Sequence, residues 1–233
     1  MISTYFDFHI HSKYSLDSLL QPGRILNLAK REKLNGIAIT DHNTIRGGVQ
    51  AKKYNVDSNF LVIIGSEIRT GVGDVIGLFL NEEIKSRNVL EVVDEIRAQD
   101  GIVVIPHPFR GHKIYELRNI LNEIDLVEIF NSRNNPVQNF KASEFALANN
   151  KPFVGGSDAH FGSEIGFCRT IIKGENDIEK VRSRLLKGDV EIIGGYSPVY
   201  LQPLSQMIKA VKSRNYINIP YQAYNLLKIT RKG

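Results

Sequence analysis

Short apolar runs alternate with segments of helical periodicity along most of the chain. We predict strands at residues 5–10, 36–40, 60–65, 74–80, 102–105, 126–130, 152–155 and 169–172. Between most of these runs, apolar residues recur at the i, i+3, i+4, i+7 spacing of an amphipathic helix, as at Val89, Val92, Val93 and Ile96. The strand runs are mostly apolar on both faces, which is typical of strands covered by helices in a parallel sheet or barrel. The pattern therefore predicts an α/β domain.

Residues 194–198, with two adjacent glycines and a proline, are the only plausible seam in this pattern. We therefore predict a main α/β domain over residues 1–195 and a C-terminal extension, packed on the same domain, over residues 196–233. No apolar run approaches the roughly 20 residues of a membrane helix. The N-terminal residues do not resemble a signal peptide. Together with the single cysteine, Cys168, this predicts a reducing, cytoplasmic location without membrane contact.

The net charge of +5 suggests a polyanionic partner, but its distribution narrows that interpretation. Six of the 30 basic residues follow the last acidic residue, Glu191: Lys209, Lys212, Arg214, Lys228, Arg231 and Lys232. Residues 1–191 contain the other 24 basic residues and all 25 acidic residues, so this part of the chain is nearly neutral. The sequence thus allows RNA binding through the basic tail but does not indicate a nucleic-acid footprint over the whole domain.

Histidine and carboxylate residues lie at the carboxyl ends of five predicted strands or in the loops that follow them. These residues are His9, His11, Asp17, Asp41, His42, Glu67, His107, Asp158 and His160. In α/β folds the active site lies at the edge of the sheet or barrel formed by the carboxyl ends of the strands. We therefore expect these side chains to meet at that edge. His9 and His11 are two apart on a strand and can reach one ion. A mixed set of imidazoles and carboxylates is typical of Zn, Mn or Fe sites.

Other polar residues near these strand ends suggest supporting roles. Arg110 and Arg133 could each hold phosphate oxygens through two parallel hydrogen bonds, or could pair with a carboxylate. Asp41 could orient a metal ligand or donate a proton to the leaving group. Glu128 could orient a ligand from its strand. Cys168 is interpreted as a small buried apolar residue.

The order of these motifs resembles the polymerase and histidinol phosphatase (PHP) family. The resemblance rests on His9-x-His11, Asp17, Thr40-Asp41-His42, Gly65-x-Glu67, Pro106-His107-Pro108 and Ser157-Asp158-Ala159-His160. It implies a distorted (β/α)7 TIM-like barrel, the PHP fold, with a short basic C-terminal extension. It also implies a trinuclear metal cluster at the C-terminal rim and phosphoester hydrolysis as the usual activity.

The resemblance implies the metal ligands as well. His9, His11, Glu67 and Asp158 would hold the first metal, and Glu67 would bridge to a second metal bound by His107. The third metal would be bound by Asp17, His42 and His160. Relatives often place a histidine just before an Ile/Val-Gly-Leu run, where this chain has Asp74. We expect Asp74 to take that ligand position, or else to accept hydrogen bonds from its loop.

We therefore expect a phosphoesterase with two to three divalent metal ions (Zn, Mn or Fe) that generate a hydroxide nucleophile and clamp the phosphate. Such a centre favours an anion, because the ions carry more charge than Asp17, Glu67, Asp74 and Asp158 neutralise. The expected substrate is a small phosphomonoester, a nucleotide or an RNA 5′ end. The alternatives are a histidinol-phosphate phosphatase, a non-catalytic RNA-associated barrel and an accessory module of a DNA polymerase.

Overall fold

The computed structural model describes residues 3–230, apart from the side chains of Ile114, Leu117, Arg118, Asn119 and Thr230. The strands are β1 (Ser3–Ile10), β2 (Gly36–Ile39), β3 (Leu61–Arg69), β4 (Asp74–Leu78), β5 (Ile102–Ile105), β6 (Leu126–Asn131), β7 (Phe153–Gly156), β8 (Cys168–Lys173) and β9 (Val190–Gly194). The helices are α1 (Pro22–Arg31), α2 (Arg46–Tyr54), α3 (Val89–Arg97), α4 (Ile114–Leu117), α5 (Pro136–Ala148), α6 (Ile178–Lys187), α7 (Leu201–Lys212) and α8 (Ile219–Thr230). Short 3-10 helices cover Arg118–Glu123 and Tyr216–Asn218.

The strands form one sheet in the order β7-β6-β5-β4-β3-β2-β1-β8-β9. This sheet curls into a nearly closed barrel. The chain just after β7 comes back to the end of β1. There, the backbone N–H of His11 donates to the carbonyl of Ala159 at 2.9 Å. The predicted barrel-like α/β fold is confirmed.

Strand direction is less uniform than the apolar runs suggest. The pairs β1–β2, β2–β3, β5–β6 and β6–β7 are parallel, as expected. By contrast, β4 runs antiparallel to both its neighbours, and β8 runs antiparallel to β1 and β9. The short link between β3 and β4 explains the first reversal, because a parallel connection needs a crossover of a dozen or more residues.

Apolar side chains fill both faces of the barrel wall. Phe6, Phe8 and Ile63 belong to one buried cluster, which also contains Leu185 of α6. Alternate strand residues such as Ile37 and Ile39 pack in a second cluster with Ile25 of α1. The strands are thus buried on two sides, and their carboxyl ends bring polar residues to one rim.

Several elements are absent from the sequence prediction. Helix α1 carries a visible signal, since Pro22 stands at its N-terminus and Ile25, Leu26 and Ala29 form its buried stripe. Helices α2 and α8 and strand β9 were likewise not predicted. The division near residue 195 stays a prediction, as does the basic C-terminal extension, of which Arg231 and Lys232 lie outside the described residues.

Between residues 3 and 230, every helix is too short or too polar to cross a membrane. Cys168 is buried and unpaired. Burial raises the pKa of its thiol well above the ordinary value. This environment agrees with the interpretation of Cys168 as an inert, buried side chain.

Candidate metal centre

The residues singled out at the strand ends meet at one rim of the barrel. The buried members are His9, His11, Asp17, Asp41, Glu67, His107, Asp158 and His160. His42 and Asp74 are partly exposed, and they line a cavity of about 280 Å³ that opens onto the buried ligands. The rim therefore presents a cluster of buried metal-ligating side chains to a small cleft.

The first group of donor atoms comes from β1, β3 and the segment after β7. His9 Nε2 lies 3.1 Å from His11 Nε2, 3.5 Å from Glu67 Oε2 and 3.6 Å from Asp158 Oδ1. His11 Nε2 lies 3.3 and 3.2 Å from the same two oxygens. Ligand bonds of about 2.0–2.2 Å in tetrahedral geometry separate donor atoms by roughly 3.3–3.6 Å. These spacings fit a single transition-metal ion.

The second group is centred on Asp17, in the loop after β1. Its Oδ2 lies 3.3 Å from His42 Nε2, and its Oδ1 lies 3.4 Å from His160 Nε2. Asp17 Oδ1 is buried and has no hydrogen-bond partner among the described residues. A buried carboxylate oxygen without a hydrogen bond is costly unless a cation or another donor satisfies it. The group therefore also fits a metal ion.

The third group links Glu67 to His107 and Asp74. Glu67 Oε1 lies 3.0 Å from His107 Nε2, and the three side chains each offer a ligand atom within 4.8 Å of the others. Asp74 also lies 3.4 Å from the exposed guanidinium of Arg69. Asp74 thus lies close enough to Glu67 and His107 to share a metal ion with them. Its role as a ligand stays a prediction.

The electrostatics of the cluster favour bound positive charge. Burial lowers the pKa of His11, but hydrogen bonds to Asp158 and Glu67 outweigh burial and raise this pKa to about 9. Burial likewise opposes ionisation of Glu67, yet the attraction of His42 and His9 holds its pKa well below the ordinary value. The carboxylates that hold a proton on His11 this firmly also stabilise divalent cations.

Hydrogen bonds fix the orientation of His9 on β1 and of His11 just after it. Glu128 Oε1 accepts from His9 Nδ1 at 2.9 Å, and Glu128 Oε2 accepts from the backbone N–H of His107 at 2.8 Å. The hydroxyl of Ser15 accepts from His11 Nδ1 at 3.0 Å. A proton held on Nδ1 leaves the Nε2 lone pair of each ring free for a metal. The predicted orienting role of Glu128 agrees with these contacts.

Asp41 is directed into the loop after β1. Its Oδ1 accepts hydrogen bonds from the backbone of Ser12 at 2.7 Å and the hydroxyl of Ser15 at 2.8 Å, and its Oδ2 accepts from the Ser12 hydroxyl at 2.6 Å. Gly47 passes so close that a Cβ there would overlap the Asp41 carboxylate. Of the two roles open to Asp41, these contacts favour positioning, because Ser15 connects it to His11. Ser12 and Ser15 were not singled out in the sequence, where serines in a polar loop carry no distinctive signal.

The two candidate arginines lie in different surroundings. Arg110 forms an ion pair with Asp158 and donates to Asn131 Oδ1 at 3.3 Å, at the edge of the cleft. The Nε and Nη2 atoms of Arg133 donate to the two carboxylate oxygens of Glu164 at 2.9 and 3.0 Å. Arg133 is thus occupied by an internal carboxylate, the alternative that the sequence left open for both arginines. Glu164, which is fully buried, was missed because it lies in a loop without any motif.

Two lysines that the sequence analysis counted with the basic tail contact the loop of the candidate metal centre that carries Asp17. Lys212 Nζ donates to the carbonyls of Lys13, Ser15 and Ser18 at 2.8, 2.5 and 3.1 Å. Lys209 Nζ lies 3.9 Å from Asp17 Oδ2. Helix α7 therefore braces the loop that carries Asp17.

Fold and site together define a barrel of the PHP type with a candidate metal centre at its rim. The PHP domain profile matches residues 7–140, more than half of the chain, and the PHP-associated profile matches residues 136–190. The chain belongs to the PHP domain family, and the resemblance found in its motifs is confirmed.

Two archaeal sequences are similar to this chain. The uncharacterized protein MJ1587 of Methanocaldococcus jannaschii is 42% identical over 143 residues, which cover 54% of this chain and 81% of that protein. The uncharacterized protein MJ0417 of the same organism is 35% identical over 170 residues, covering 69% of this chain and 67% of that protein.

Solved structures of low identity share the fold. A two-domain protein from Bacteroides vulgatus, containing a predicted PHP-like metal-dependent phosphoesterase, superposes with a TM-score of 0.74 at 19% identity. The match covers 83% of this chain and 65% of that protein. Endonuclease Q, bound to a duplex with an abasic lesion at its active site, superposes with a TM-score of 0.59 at 18% identity, over 80% of this chain and 57% of its own.

Proposed function

We propose that this protein is a metal-dependent hydrolase that releases phosphate from a small phosphomonoester or a nucleotide. The observation that carries the proposal is the position of Glu67. Its two oxygens face imidazoles of separate donor groups, His107 on one side and His9, His11 and His42 on the other. Donor groups joined by one carboxylate suit a multinuclear centre of about two or three divalent ions, with Zn, Mn and Fe as the candidates.

We assign the ions to the three donor groups described above, with Asp74 completing the group of Glu67 and His107. Bound ions of this kind supply an activated water nucleophile and neutralise charge on the phosphate oxygens. The protein's own residues orient the donors: Glu128 holds His9, Ser15 holds His11, and Asp41 holds Ser15. Arg110 stands at the cleft edge beside Asp158 and would hold phosphate oxygens through charge-assisted hydrogen bonds.

A nucleic-acid 5′ end is a second candidate substrate. The cleft wall includes four basic side chains, Arg69, Arg110, Arg133 and Lys209. Arg133 is neutralised by Glu164, so the other three would favour a polyanion. The fold similarity to endonuclease Q, whose structure contains a DNA duplex, also supports a nucleic-acid substrate. RNA binding by the residues beyond Glu191 and a cytoplasmic location stay predictions from the sequence. A non-catalytic barrel is disfavoured, because such a protein would not need three adjoining groups of buried metal donors.

The proposal is tested by stripping the purified protein with a chelator, loading it with Mn²⁺ and following phosphate release. Suitable substrates are p-nitrophenyl phosphate, a nucleotide panel, histidinol phosphate and a 5′-phosphorylated RNA. We expect turnover that His107→Ala lowers by at least about 100-fold. Val56→Ala, at a position 96% exposed, serves as the matched control. Absence of turnover on every substrate, with ions bound, would refute the proposal.

A further inference from the structure

A fully buried carboxylate outside the three donor groups lies directly behind one of the candidate metal ligands. Glu164 belongs to the loop between β7 and β8. Its Oε2 accepts hydrogen bonds from the backbone N–H groups of His160 and Phe161, at 2.9 and 3.0 Å. Neither contact involves the imidazole, so Glu164 fixes the main chain at His160 rather than the ring. A displacement of this main chain would carry the ring with it.

The ring of His160 is fixed by a different contact. Its Nδ1 lies 2.8 Å from the carbonyl oxygen of Asp158, and since that oxygen can only accept, the proton is on Nδ1 and Nε2 is free for a metal. This Nε2 lies 3.4 Å from Asp17 Oδ1. On the other side of the main chain, the carbonyl of His160 accepts from the Ser18 hydroxyl at 3.0 Å. The distance between His160 and Asp17 therefore depends on where the loop of His160 is held.

Arg133 holds the Glu164 carboxylate in place. Its Nε and Nη2 donate to Oε1 and Oε2 at 2.9 and 3.0 Å, and its side chain is only 5% exposed. Glu164 thus accepts two hydrogen bonds from Arg133 and two from the backbone. A buried ion pair adds little net stability compared with apolar residues of similar volume, although the loss of one partner is costly. The distinctive contribution of this pair is therefore the geometry that it imposes at His160.

The third nitrogen of the Arg133 side chain contacts helix α7. Nη1 donates to Ser205 Oγ at 3.0 Å, and this hydroxyl donates in turn to the carbonyl of Gln202 at 2.9 Å. Ser205 is fully buried, so the contact lies inside the protein. Helix α7, which braces the loop of Asp17 through Lys212, thereby also supports the loop of His160.

We propose that Glu164 is a positioning residue for the metal-binding group of Asp17, His42 and His160, and that Arg133 and Ser205 hold it in place. The inference deepens the proposed function and rests on it for the metal ion, but not for the hydrolysis of a phosphoester. Loss of the acceptor oxygens of Glu164 releases the main chain of His160. The affinity of this one donor group for a metal then falls, while the other groups keep theirs.

Two double variants separate the acceptor from the charge. Arg133→Met with Glu164→Gln removes both charges but keeps an amide oxygen that can accept from the His160 N–H. Arg133→Met with Glu164→Met removes both charges and the acceptor at similar size. We follow Mn²⁺ titrations of chelator-stripped protein by the EPR signal of free Mn²⁺. One ion per chain should bind about 10- to 100-fold more weakly without the acceptor, and within about threefold of wild type with it. Equal binding by the two double variants would overturn the proposal.

A coupling measurement shows whether Glu164 acts through His160. In a His160→Ala background the two double variants should bind Mn²⁺ equally, because the ligand that Glu164 positions is already lost. A difference as large as that seen with His160 present would overturn the proposal.

A milder variant covers the case in which a double variant does not fold. Glu164→Asp keeps a charge for Arg133 but is one methylene shorter, so it cannot reach both the guanidinium and the backbone N–H groups. Its Mn²⁺ affinity at one site should fall about tenfold. Glu144→Gln, at an exposed position on α5, is the matched control and should bind as the wild type does. Equal affinity in Glu164→Asp and Glu144→Gln would overturn the proposal.

Metal binding and turnover together separate this inference from the proposed function. If no phosphoester is hydrolysed but Mn²⁺ binding depends on the acceptor at position 164, the proposed function fails and the positioning role stands. If phosphoesters are hydrolysed but Mn²⁺ binding is unaffected by loss of the acceptor, the positioning role fails alone. If the wild-type protein binds no Mn²⁺, both fail.

Discussion

Glu67 and His107 are joined by a 3.0 Å contact between Oε1 and Nε2 at the rim of the barrel. The other oxygen of the same carboxylate lies 3.5, 3.3 and 3.1 Å from ring nitrogens of His9, His11 and His42. One buried carboxylate thus contacts imidazoles from three separate segments of the chain, at the carboxyl ends of β1, β2 and β5. Its charge is central to whatever cations the rim binds.

The first prediction concerns that charge. Glu67→Gln keeps the size of the side chain but removes an anion that faces four imidazoles, so adjoining ions should be lost together. We expect metal content, measured by inductively coupled plasma mass spectrometry, to fall by at least one ion per chain, and the affinity to fall by about 100-fold or more. Glu175→Gln, at an exposed position, provides the control. Equal metal content in both variants would contradict the bridging role.

The second prediction separates the two roles considered for Asp41. Asp41→Asn keeps an oxygen for Ser12 and Ser15, and its amide can donate to the Ser12 hydroxyl, so the loop should keep its form. If Asp41 only positions the loop, kcat should fall by less than about tenfold with an unchanged pH profile. Asp41→Ala should reduce metal affinity by about 10- to 100-fold. Loss of the basic limb of the pH profile in Asp41→Asn would instead indicate proton donation, because a general acid acts only in its protonated form.

The third prediction concerns phosphate binding. Arg110→Ala removes a guanidinium that lies at the edge of the cleft and pairs with Asp158. We expect kcat/KM to fall by about 10- to 100-fold, mainly through KM, because charge-assisted hydrogen bonds to phosphate are lost. Arg97→Ala, which breaks a surface ion pair with Glu123, is the control. A variant with wild-type KM for every phosphoester would show that Arg110 serves Asp158 alone.

The ligand cluster was predictable because it follows from strand ends. Five of the eight predicted apolar runs are followed by a histidine or carboxylate at the carboxyl end, and parallel strands bring those ends together. The apolar runs alone did not predict that β4 runs antiparallel, because they do not encode direction. The short link between β3 and β4 was the signal that could have shown it. The predicted bounds of β5, residues 102–105, agree with the structure. The apolar run stops abruptly at both of its ends, and the strand has the same limits.

Contacts between loops were beyond the sequence pattern. Arg133 follows a strand end as Arg110 does, yet it pairs with Glu164, a residue 31 positions away that belongs to no motif. Lys212 was assigned to a basic tail by its position after the last acidic residue. In the folded chain its ammonium group reaches the carbonyl groups of the loop that carries Asp17. Such pairings depend on tertiary geometry, which composition and spacing do not specify.

The fourth prediction tests this brace. Lys212→Met keeps the length of the side chain but removes three hydrogen bonds to the loop of Lys13, Ser15 and Ser18. We expect the free energy of unfolding to fall by about 1–3 kcal/mol, together with weaker metal binding at Asp17. Lys228→Met, on the exposed side of α8, is the matched control in chemical denaturation and metal titration. Identical behaviour of the two variants would exclude the brace.

The fifth prediction is a pH dependence with two opposite signs. Burial lowers the pKa of His11, but its hydrogen bonds to Asp158 and Glu67 raise this pKa to about 9 in the metal-free fold. The stabilisation by protonated His11 is therefore complete below its unfolded pKa of about 6.5 and is lost as the pH rises toward 9. Metal binding displaces this proton, so metal affinity should increase over the same interval.

This dependence is measured by thermal unfolding of chelator-treated and Mn²⁺-loaded protein between pH 6 and 9. The Tm of the metal-free protein should fall with rising pH, while the increase in Tm on adding Mn²⁺ should grow. A metal-induced shift that is constant over this range would contradict proton displacement from the cluster.

The central claim, a multinuclear metal centre that hydrolyses phosphoesters, is tested most directly by titrating Mn²⁺ into chelator-stripped protein while phosphate release is measured. We predict no release without metal and a rise that saturates at about two or three ions per chain, with Glu67→Gln failing to reach it. Phosphate release that is independent of added Mn²⁺, or that stays absent although the ions bind, would contradict the account.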